Sequence, residues 1–223
     1  MFRFAAIGLL SLACLAGEPP HGSEKHALWV SCFSKTGHHW EGAKTVRTPT
    51  VVSTDGTLKA YAQIEAMQSG PSMCENTVRL FVSTQNSAGF HQVFLQKPSP
   101  LGGTANSLGP NSWSPDGRWL LVEFGRWFYD SDAGGLDILL YDKRKGKVIS
   151  PDLTRIVQTN RKRECSIRVI KVVGFDAWSR VRLQLADNIE DGEDQPETHC
   201  FHGTEEWALN PTNETMQLIS RRP

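Results

Sequence analysis

A short turn motif recurs three times along the chain, and this recurrence limits the fold more than any other feature. The clearest copy is residues 113–122 (WSPDGRWLLV), where a turn leads at once into an apolar run. Weaker copies occupy residues 51–61 (VVSTDGTLKAY) and 174–183 (GFDAWSRVRL). Aligned on their aspartates, the copies are about 60 residues apart, a period that is typical of repeat architectures.

Each residue of the central motif has a physical reason to form a turn. Pro115 fixes φ for the second turn position, Asp116 can hydrogen-bond to nearby backbone, and Gly117 accepts the positive φ that follows. The runs after the three turns have the length and composition of strands. They cover residues 58–64, 119–124 and 181–185.

Further short apolar runs, separated by turn residues, follow each motif in parallel fashion. They lie at residues 78–82, 92–95, 136–142, 148–149, 206–209 and 216–219. The pattern predicts an all-β protein of three antiparallel meanders, with units at 48–100, 108–155 and 165–222 and no helix beyond the N-terminus. The alternative is an ordinary β-sandwich with one chance turn, which accounts for one motif but not for three.

Residues 113–124 resemble the TolB-type, WD40-like β-propeller repeat, whose hallmark is an aromatic-Ser-Pro-Asp-Gly turn followed by an apolar strand. The first copy lacks the proline, and the third lacks both the proline and the glycine. The resemblance implies a propeller-like domain over residues 48–223 but no particular activity, because propellers host many unrelated functions.

The number of units leaves two arrangements open. Propellers normally close with 4 to 8 blades, and this chain supplies about three. Either two chains form a homodimeric six-blade ring, or the units fold as a partial propeller or compact sandwich-like monomer whose flanking segments cover the sheet edges. The N-terminal segment, residues 18–47, is expected to add one or two strands, the first over 27–33.

Residues 1–17 have the pattern of a secretory signal peptide. One positive charge at Arg3 precedes an apolar stretch over 4–12 and small residues over 13–17, which is too short to span a bilayer. We therefore expect a secreted or periplasmic protein. The alternative is a lipoprotein anchored through Cys14, since residues 11–14 (SLAC) resemble a lipobox.

Four cysteines remain after such processing, and an even number in an exported chain predicts disulfide bonds. Three connectivities are possible. Pairing of neighbours would join Cys32 to Cys74 and Cys165 to Cys200, so that each bond staples one terminal unit.

The charge balance and the absence of a second apolar span restrict the partners. With 24 basic and 24 acidic residues the formal net charge is zero, which gives no overall electrostatic attraction to nucleic acid or to an anionic membrane. No segment after residue 17 approaches transmembrane length.

Candidates for metal chemistry are few. His199 and His202 flank Cys200 and are the zinc candidates, although their spacing differs from usual zinc pairs and a disulfide at Cys200 with two loop histidines is the favoured interpretation. Residues 190–194 (EDGED) could offer carboxylates to Ca²⁺, or form a solvated hairpin tip. No other cofactor is expected.

No nucleophile elbow or phosphate-binding loop is present, so the residues favour binding over catalysis. Arg126, Trp127 and Tyr129 follow a strand, and they belong to residue types enriched in binding hot spots. His38 and Trp40 form a second candidate, and inter-unit packing is the alternative for both. We expect an exported, propeller-like binding protein of the bacterial cell envelope; the alternative is a small hydrolase or lyase with a cleft between units.

Overall fold

The computed structural model describes residues 27–34, 39–70, 73–83, 89–99, 104–128, 134–188, 200–201 and 203–222. These residues form three antiparallel sheets and one helix, which confirms the predicted all-β meanders. The first sheet contains β1 Lys44–Arg47, β2 Val51–Val52, β3 Lys59–Gly70, β4 Met73–Ser83 and β5 His91–Gln96. The second contains β6 Thr104–Trp113, β7 Trp119–Phe128, β8 Gly134–Asp142 and β9 Lys147–Ile149. The third follows helix α1 Leu153–Arg161 and contains β10 Ile167–Phe175, β11 Val181–Asp187, β12 Thr204–Asn210 and β13 Thr215–Arg222.

Strand order follows chain order within each sheet. The second sheet runs β6-β7-β8-β9 and the third runs β10-β11-β12-β13, while in the first sheet β1 and β2 both pair with β3. Each sheet is thus a meander of the kind that tight turns and local pairing favour.

The central repeat motif closes its turn through one serine. The buried hydroxyl of Ser114 donates to Asp116 Oδ1 (2.5 Å) and accepts the backbone N–H of Trp119 (2.9 Å). Gly117 supplies the left-handed backbone, with φ of 65°, that the turn requires. The motif therefore fixes the start of β7 relative to the end of β6.

The first copy forms the same turn without a proline. The Ser53 hydroxyl donates to Asp55 Oδ1 (2.5 Å) and accepts the N–H of Leu58 (3.0 Å). Gly56 again has a positive φ, of 73°. Proline is thus dispensable to the turn, whereas the serine, the aspartate and the glycine recur.

The third copy is shifted by two residues from the alignment on aspartates. Asp176 occupies the position of the turn serine: its carbonyl accepts the N–H of Ser179 (3.1 Å), and its carboxylate accepts the N–H groups of Trp178 and Arg180 (both 2.9 Å). Ser179 takes the glycine position with φ of 60°. One carboxylate therefore replaces the serine and aspartate of the other copies.

The second sheet is the middle layer of the protein. Alternate residues of β7 face opposite ways, so that Leu120 and Val122 pack in the apolar cluster with the first sheet, and Trp119 and Leu121 pack in the cluster with the third. A strand that is buried on both faces needs a continuous apolar run. This explains why the run after the turn is most apolar in the central copy.

The N-terminal segment lies against the first two sheets but contributes less regular structure than expected. Residues 27–33, predicted as a strand, form only isolated bridges, one of them from Leu28 to Leu108. Asn76 on β4 ties the segment down by donating to the carbonyls of Val30 (3.0 Å) and Asn106 (3.2 Å). Among the described residues of this segment, β1 is the strand.

Helix α1 was not expected, and the prediction of no helix beyond the N-terminus is wrong. Asp152 caps its first turn by accepting the N–H of Arg155 (2.9 Å), and Lys162 ends it in a left-handed conformation. The helix buries Leu153 and Val157 against the third sheet. A nine-residue helix with two buried side chains gives too short a periodic pattern to stand out from the surrounding strands.

Two disulfide bonds join neighbouring cysteines, Cys32 to Cys74 and Cys165 to Cys200. The first ties the N-terminal segment to β4. The second joins the segment between α1 and β10 to the segment that precedes β12. Each bond therefore fixes a segment that borders one of the two terminal sheets.

Candidate functional site

A cleft of about 260 Å³ lies between the second and third sheets. It is at the starts of β8 and β10, which is the opposite end of these strands from the repeated turns. The lining is formed by residues 134–137, 151–154 and 167–169 together with Asn188. The volume approaches the lower limit of pockets that bind small molecules, about 300 Å³.

Part of the cleft lining is apolar because the cleft borders the core between the two sheets. Leu136, Leu153 and Ile167 belong to or pack against that apolar cluster. Gly134 bears no side chain, and the space beside it is taken by Trp127, since a Cβ at Gly134 would lie 2.9 Å from the ring. Because the residues at positions 134 and 135 are glycines, no side chains enclose the cleft on this side.

The charged lining residue Asp137 is coupled to the predicted binding residue Arg126. Arg126 Nη2 lies 3.6 Å from Asp137 Oδ2, and both side chains are about half exposed. The guanidinium also lies over the ring of Phe124, 5.4 Å from its centroid. Burial raises the pKa of Asp137 and Arg126 opposes this rise. The carboxyl is therefore easier to protonate than an ordinary aspartate.

A second carboxylate borders the cleft at the start of α1. Asp152 Oδ1 accepts the N–H of Arg155, which fixes the side chain as the helix cap. On the opposite wall, the backbone N–H of Asn188 donates to Ser166 (2.9 Å) and holds the end of β11 in place. The cleft lining thus contains two carboxylates and the guanidinium of Arg168, which suits a ligand that carries both hydrogen-bond donors and acceptors.

The structure separates the predicted binding residues 126–129 into different environments. Arg126 and Phe128 are exposed, but Trp127 is half-buried and packs edge-on against Trp29, with centroids 5.6 Å apart. Trp127 therefore packs against the N-terminal segment, whereas the alternative offered by the sequence was packing between units. Tyr129 lies outside the described residues.

The second predicted binding pair falls elsewhere. Trp40 is 36% exposed and packs edge-on against Phe33, 5.7 Å between centroids, in the N-terminal segment. His38 lies outside the described residues. The described contacts of Trp40 therefore link it to its own segment and not to the cleft.

The candidate metal ligands His199 and His202, and the acidic residues 190–194, also lie outside the described residues. Within the described ranges, no group of three or more histidine, cysteine, aspartate or glutamate side chains is arranged to hold a metal ion.

The most exposed aromatic residue of the described chain, Trp178, was not among the binding residues predicted from the sequence. Trp178, in the third repeat turn, is 77% exposed, and the guanidinium of Arg180 lies 5.0 Å from the centroid of its ring. The turn is rigid because Asp176 accepts the N–H of Trp178 and also pairs with Arg180 (2.7 Å). A tryptophan inside a turn, where the other copies have small or polar residues, was the available signal.

No protein-family model matches the chain, and a search of curated proteins finds no match either. Among the described residues, no helix combines the length and apolar character needed to cross a bilayer.

Proposed function

We propose that the chain is an exported, propeller-like binding protein of the bacterial cell envelope, whose ligand occupies the cleft between the second and third sheets. The observation that carries this proposal is the cleft itself: a lining that combines apolar side chains with Asp137, Asp152 and Arg168, between two sheets that pack through a common core. Binding sites commonly combine apolar walls with a few placed polar groups.

The lining contains two carboxylates and the exposed guanidinium of Arg168, so it favours a small, polar ligand that carries hydrogen-bond donors together with an acceptor or anionic group. Ionised carboxylates only accept hydrogen bonds, so hydroxyl, amine or ammonium groups complement Asp137 and Asp152. The volume of about 260 Å³ restricts the ligand to the size of an amino acid or a monosaccharide.

Export is supported by the chemistry of the cysteines. Disulfide bonds persist in oxidising compartments, and both terminal sheets carry one. The predicted signal peptide over residues 1–17 agrees with this, and lipid anchoring through Cys14 remains the alternative. The mass of the N-terminal peptide from the native protein distinguishes cleavage near residue 17 from lipidation.

The ligand can be sought by thermal unfolding of the oxidised protein with amino acids, monosaccharides, small amines and organic acids. A ligand at about 100 times its Kd stabilises the fold by about 2.7 kcal/mol, which corresponds to a rise in Tm of roughly 5–10 °C for a domain of this size. Amino acids and hydroxylated compounds are expected to act, because they offer donors to Asp137 and Asp152 and acceptors to Arg168.

Asp137→Asn tests whether the ligand lies in the cleft. Losing a charged acceptor is expected to lower affinity about tenfold or more. Glu164→Gln removes an equal charge from an exposed residue outside the cleft lining and should leave affinity unchanged. Equal affinities for both variants, or no stabilising compound in any class, would contradict the proposal.

The second candidate function is a hydrolase or lyase that uses the same cleft. It is favoured by the raised pKa of Asp137, which brings this carboxyl closer to the range of a general acid, and by a second carboxylate, Asp152, in the same lining. Mass spectrometry of each stabilising compound after incubation separates the two functions. Turnover that disappears in Asp137→Asn while binding remains would establish catalysis, and an unchanged compound would establish binding alone.

A further inference from the structure

The repeated turns gather at one end of the protein and form a single surface, here called the turn face. It comprises the turns at residues 53–58, 114–119, 142–147, 176–180 and 210–215. The turns contact one another directly. Lys143 N–H donates to the carbonyl of Arg118 (3.0 Å), and Asp116 N–H donates to the hydroxyl of Ser179 (3.4 Å).

The charge of the turn face is uneven, although the chain as a whole is neutral. The β8–β9 turn presents four exposed cations, Lys143, Arg144, Lys145 and Lys147, within five residues. Asp142, at its base, is buried and pairs with Arg118 (3.0 Å).

Two of the other turn carboxylates are engaged within their own turns. Asp55 accepts bonds from Ser53 and Thr57, which lower its pKa to about 2. Asp176 is held by the N–H groups of its turn and by Arg180. Glu214, in the turn at 210–215, is exposed. The four cations of the β8–β9 turn are therefore the largest group of like charges on the described turns.

The exposed ring of Trp178 lies on the same surface. Through Ser179 and Asp116 its turn is joined to the central repeat turn, and through Arg118 that turn is joined to the basic β8–β9 turn. An exposed tryptophan on the same surface as a group of cations has the chemistry of a membrane interface, where the indole lies at headgroup depth and lysines meet anionic lipid.

We infer that the turn face binds the surface of an anionic phospholipid bilayer, with Trp178 entering the headgroup region and Lys143 to Lys147 contacting lipid phosphates. The complementarity of charge selects this occupant, and the inference is independent of the ligand in the cleft. The nine residues of β8 separate the turn face from the cleft by about 26 Å at 3.3 Å per residue. The bound protein would therefore hold the cleft open to solvent, away from the bilayer.

The inference is tested by sedimenting the purified oxidised protein with vesicles. Phosphatidylcholine vesicles with about 30% phosphatidylglycerol present the anionic surface, and pure phosphatidylcholine is the reference. Binding is expected only to the anionic vesicles, and it should fall as salt rises above about 0.1 M. Binding to both compositions alike, or to neither, would overturn the inference.

Matched variants locate the contact. Lys143→Gln/Lys145→Gln should weaken partitioning roughly 10- to 30-fold, since each cation near an anionic surface contributes about fivefold. Lys97→Gln/Lys171→Gln removes the same charge from exposed positions outside the turn face and should have no effect. Equal losses in the two double variants would overturn the assignment to the turn face.

Tryptophan fluorescence separates a bilayer from an acidic protein partner. Quenching by brominated lipid is expected in the wild type and in Met67→Ala, an exposed apolar control, and is expected to fall markedly in Trp178→Ala. Tight binding to polyglutamate without lipid quenching would assign the surface to an acidic protein segment and overturn the membrane assignment.

Discussion

Ser114→Ala removes the hydroxyl that closes the central repeat turn. Ser114 is 1% exposed, and its hydroxyl joins the carboxylate of Asp116 to the backbone N–H of Trp119. Alanine cannot replace either bond, and the N–H of Trp119 would remain buried at the start of β7. The variant therefore tests whether this turn stabilises the middle sheet.

The expected loss follows from these two bonds. A buried donor without a partner costs about 1–3 kcal/mol, and a hydrogen bond to a charged acceptor contributes about 1.5–3 kcal/mol. Part of the free energy of the lost bond to Asp116 is recovered, because this carboxylate still accepts the N–H of Arg118 (3.1 Å) and is partly exposed to water. We expect a loss of about 2–4 kcal/mol in the free energy of unfolding, or roughly 5–12 °C in Tm.

The assay is urea unfolding of the oxidised protein near pH 7, followed by circular dichroism and by tryptophan fluorescence. Coincident transitions justify a two-state free energy. The midpoint should fall while the m-value stays constant, which identifies a change in stability and not in the unfolded state.

Two matched variants make the result specific. Ser53→Ala breaks the equivalent pair of bonds in the first copy and should cost a similar amount. Ser112→Ala lies on β6, where the hydroxyl donates to the side chain of Asn111, and should cost less than about 1 kcal/mol. A loss for Ser114→Ala no larger than that for Ser112→Ala would refute the role given to the turn.

Three further predictions follow from the same structure. Cys165→Ser/Cys200→Ser should lower the free energy of unfolding by about 4 kcal/mol in chemical denaturation, because the bond closes a long loop; a loss under about 1 kcal/mol would contradict this. The folded-state pKa of Asp55 is lowered to about 2, so its contribution is complete above the unfolded pKa near 4 and is lost as the pH falls from about 4 to 2; Asp55→Asn should flatten that part of the acid-unfolding profile, and an unchanged profile would count against it. Light scattering after size exclusion should return the mass of one chain, whereas twice that mass would indicate pairing of the outer sheet faces.

The sheets could be predicted because the information that specifies them is local. The turn at residues 113–119 combines proline, aspartate and glycine, each suited to one turn position, and the strand that follows is a continuous apolar run. Antiparallel meanders need only such short-range pairing. Repetition at a constant period then extended the inference to copies whose turn residues had diverged.

The third turn and helix α1 show where local patterns fail. In the third turn one carboxylate, Asp176, accepts the hydrogen bonds that a serine and an aspartate accept in the other copies. Aligning the copies on their aspartates therefore misplaces this turn by two residues. In α1, the cap Asp152 and the buried pair Leu153 and Val157 are consistent with a helix, but a run of nine residues between strands is also compatible with a loop.

The candidate site depends on packing between sheets, which the sequence does not encode locally. Arg126 was identified from its residue type, yet its contact with Asp137 requires the pairing of β7 with β8. Trp127 has the same residue-type signal, but Trp29, which is distant in sequence, half-buries it. The exposure of Trp178 likewise depends on a turn geometry that only the folded third unit provides.

Polarity explains why the stack of sheets can end after three units. The outer face of the first sheet carries an ion pair between Arg79 and Glu65 (2.7 Å), and that of the third carries one between Arg182 and Glu206. Glu206 is already buried, but stacking a further sheet would remove Arg79, Glu65 and the partly exposed Arg182 from water, and desolvation of a buried pair can exceed its Coulombic gain. The faces of the second sheet, in contrast, present apolar side chains in both directions. The side chains at alternate strand positions thus decide whether a β-meander packs against another sheet on one face or on both. This is the physical basis for expecting a monomer and not a ring of two chains.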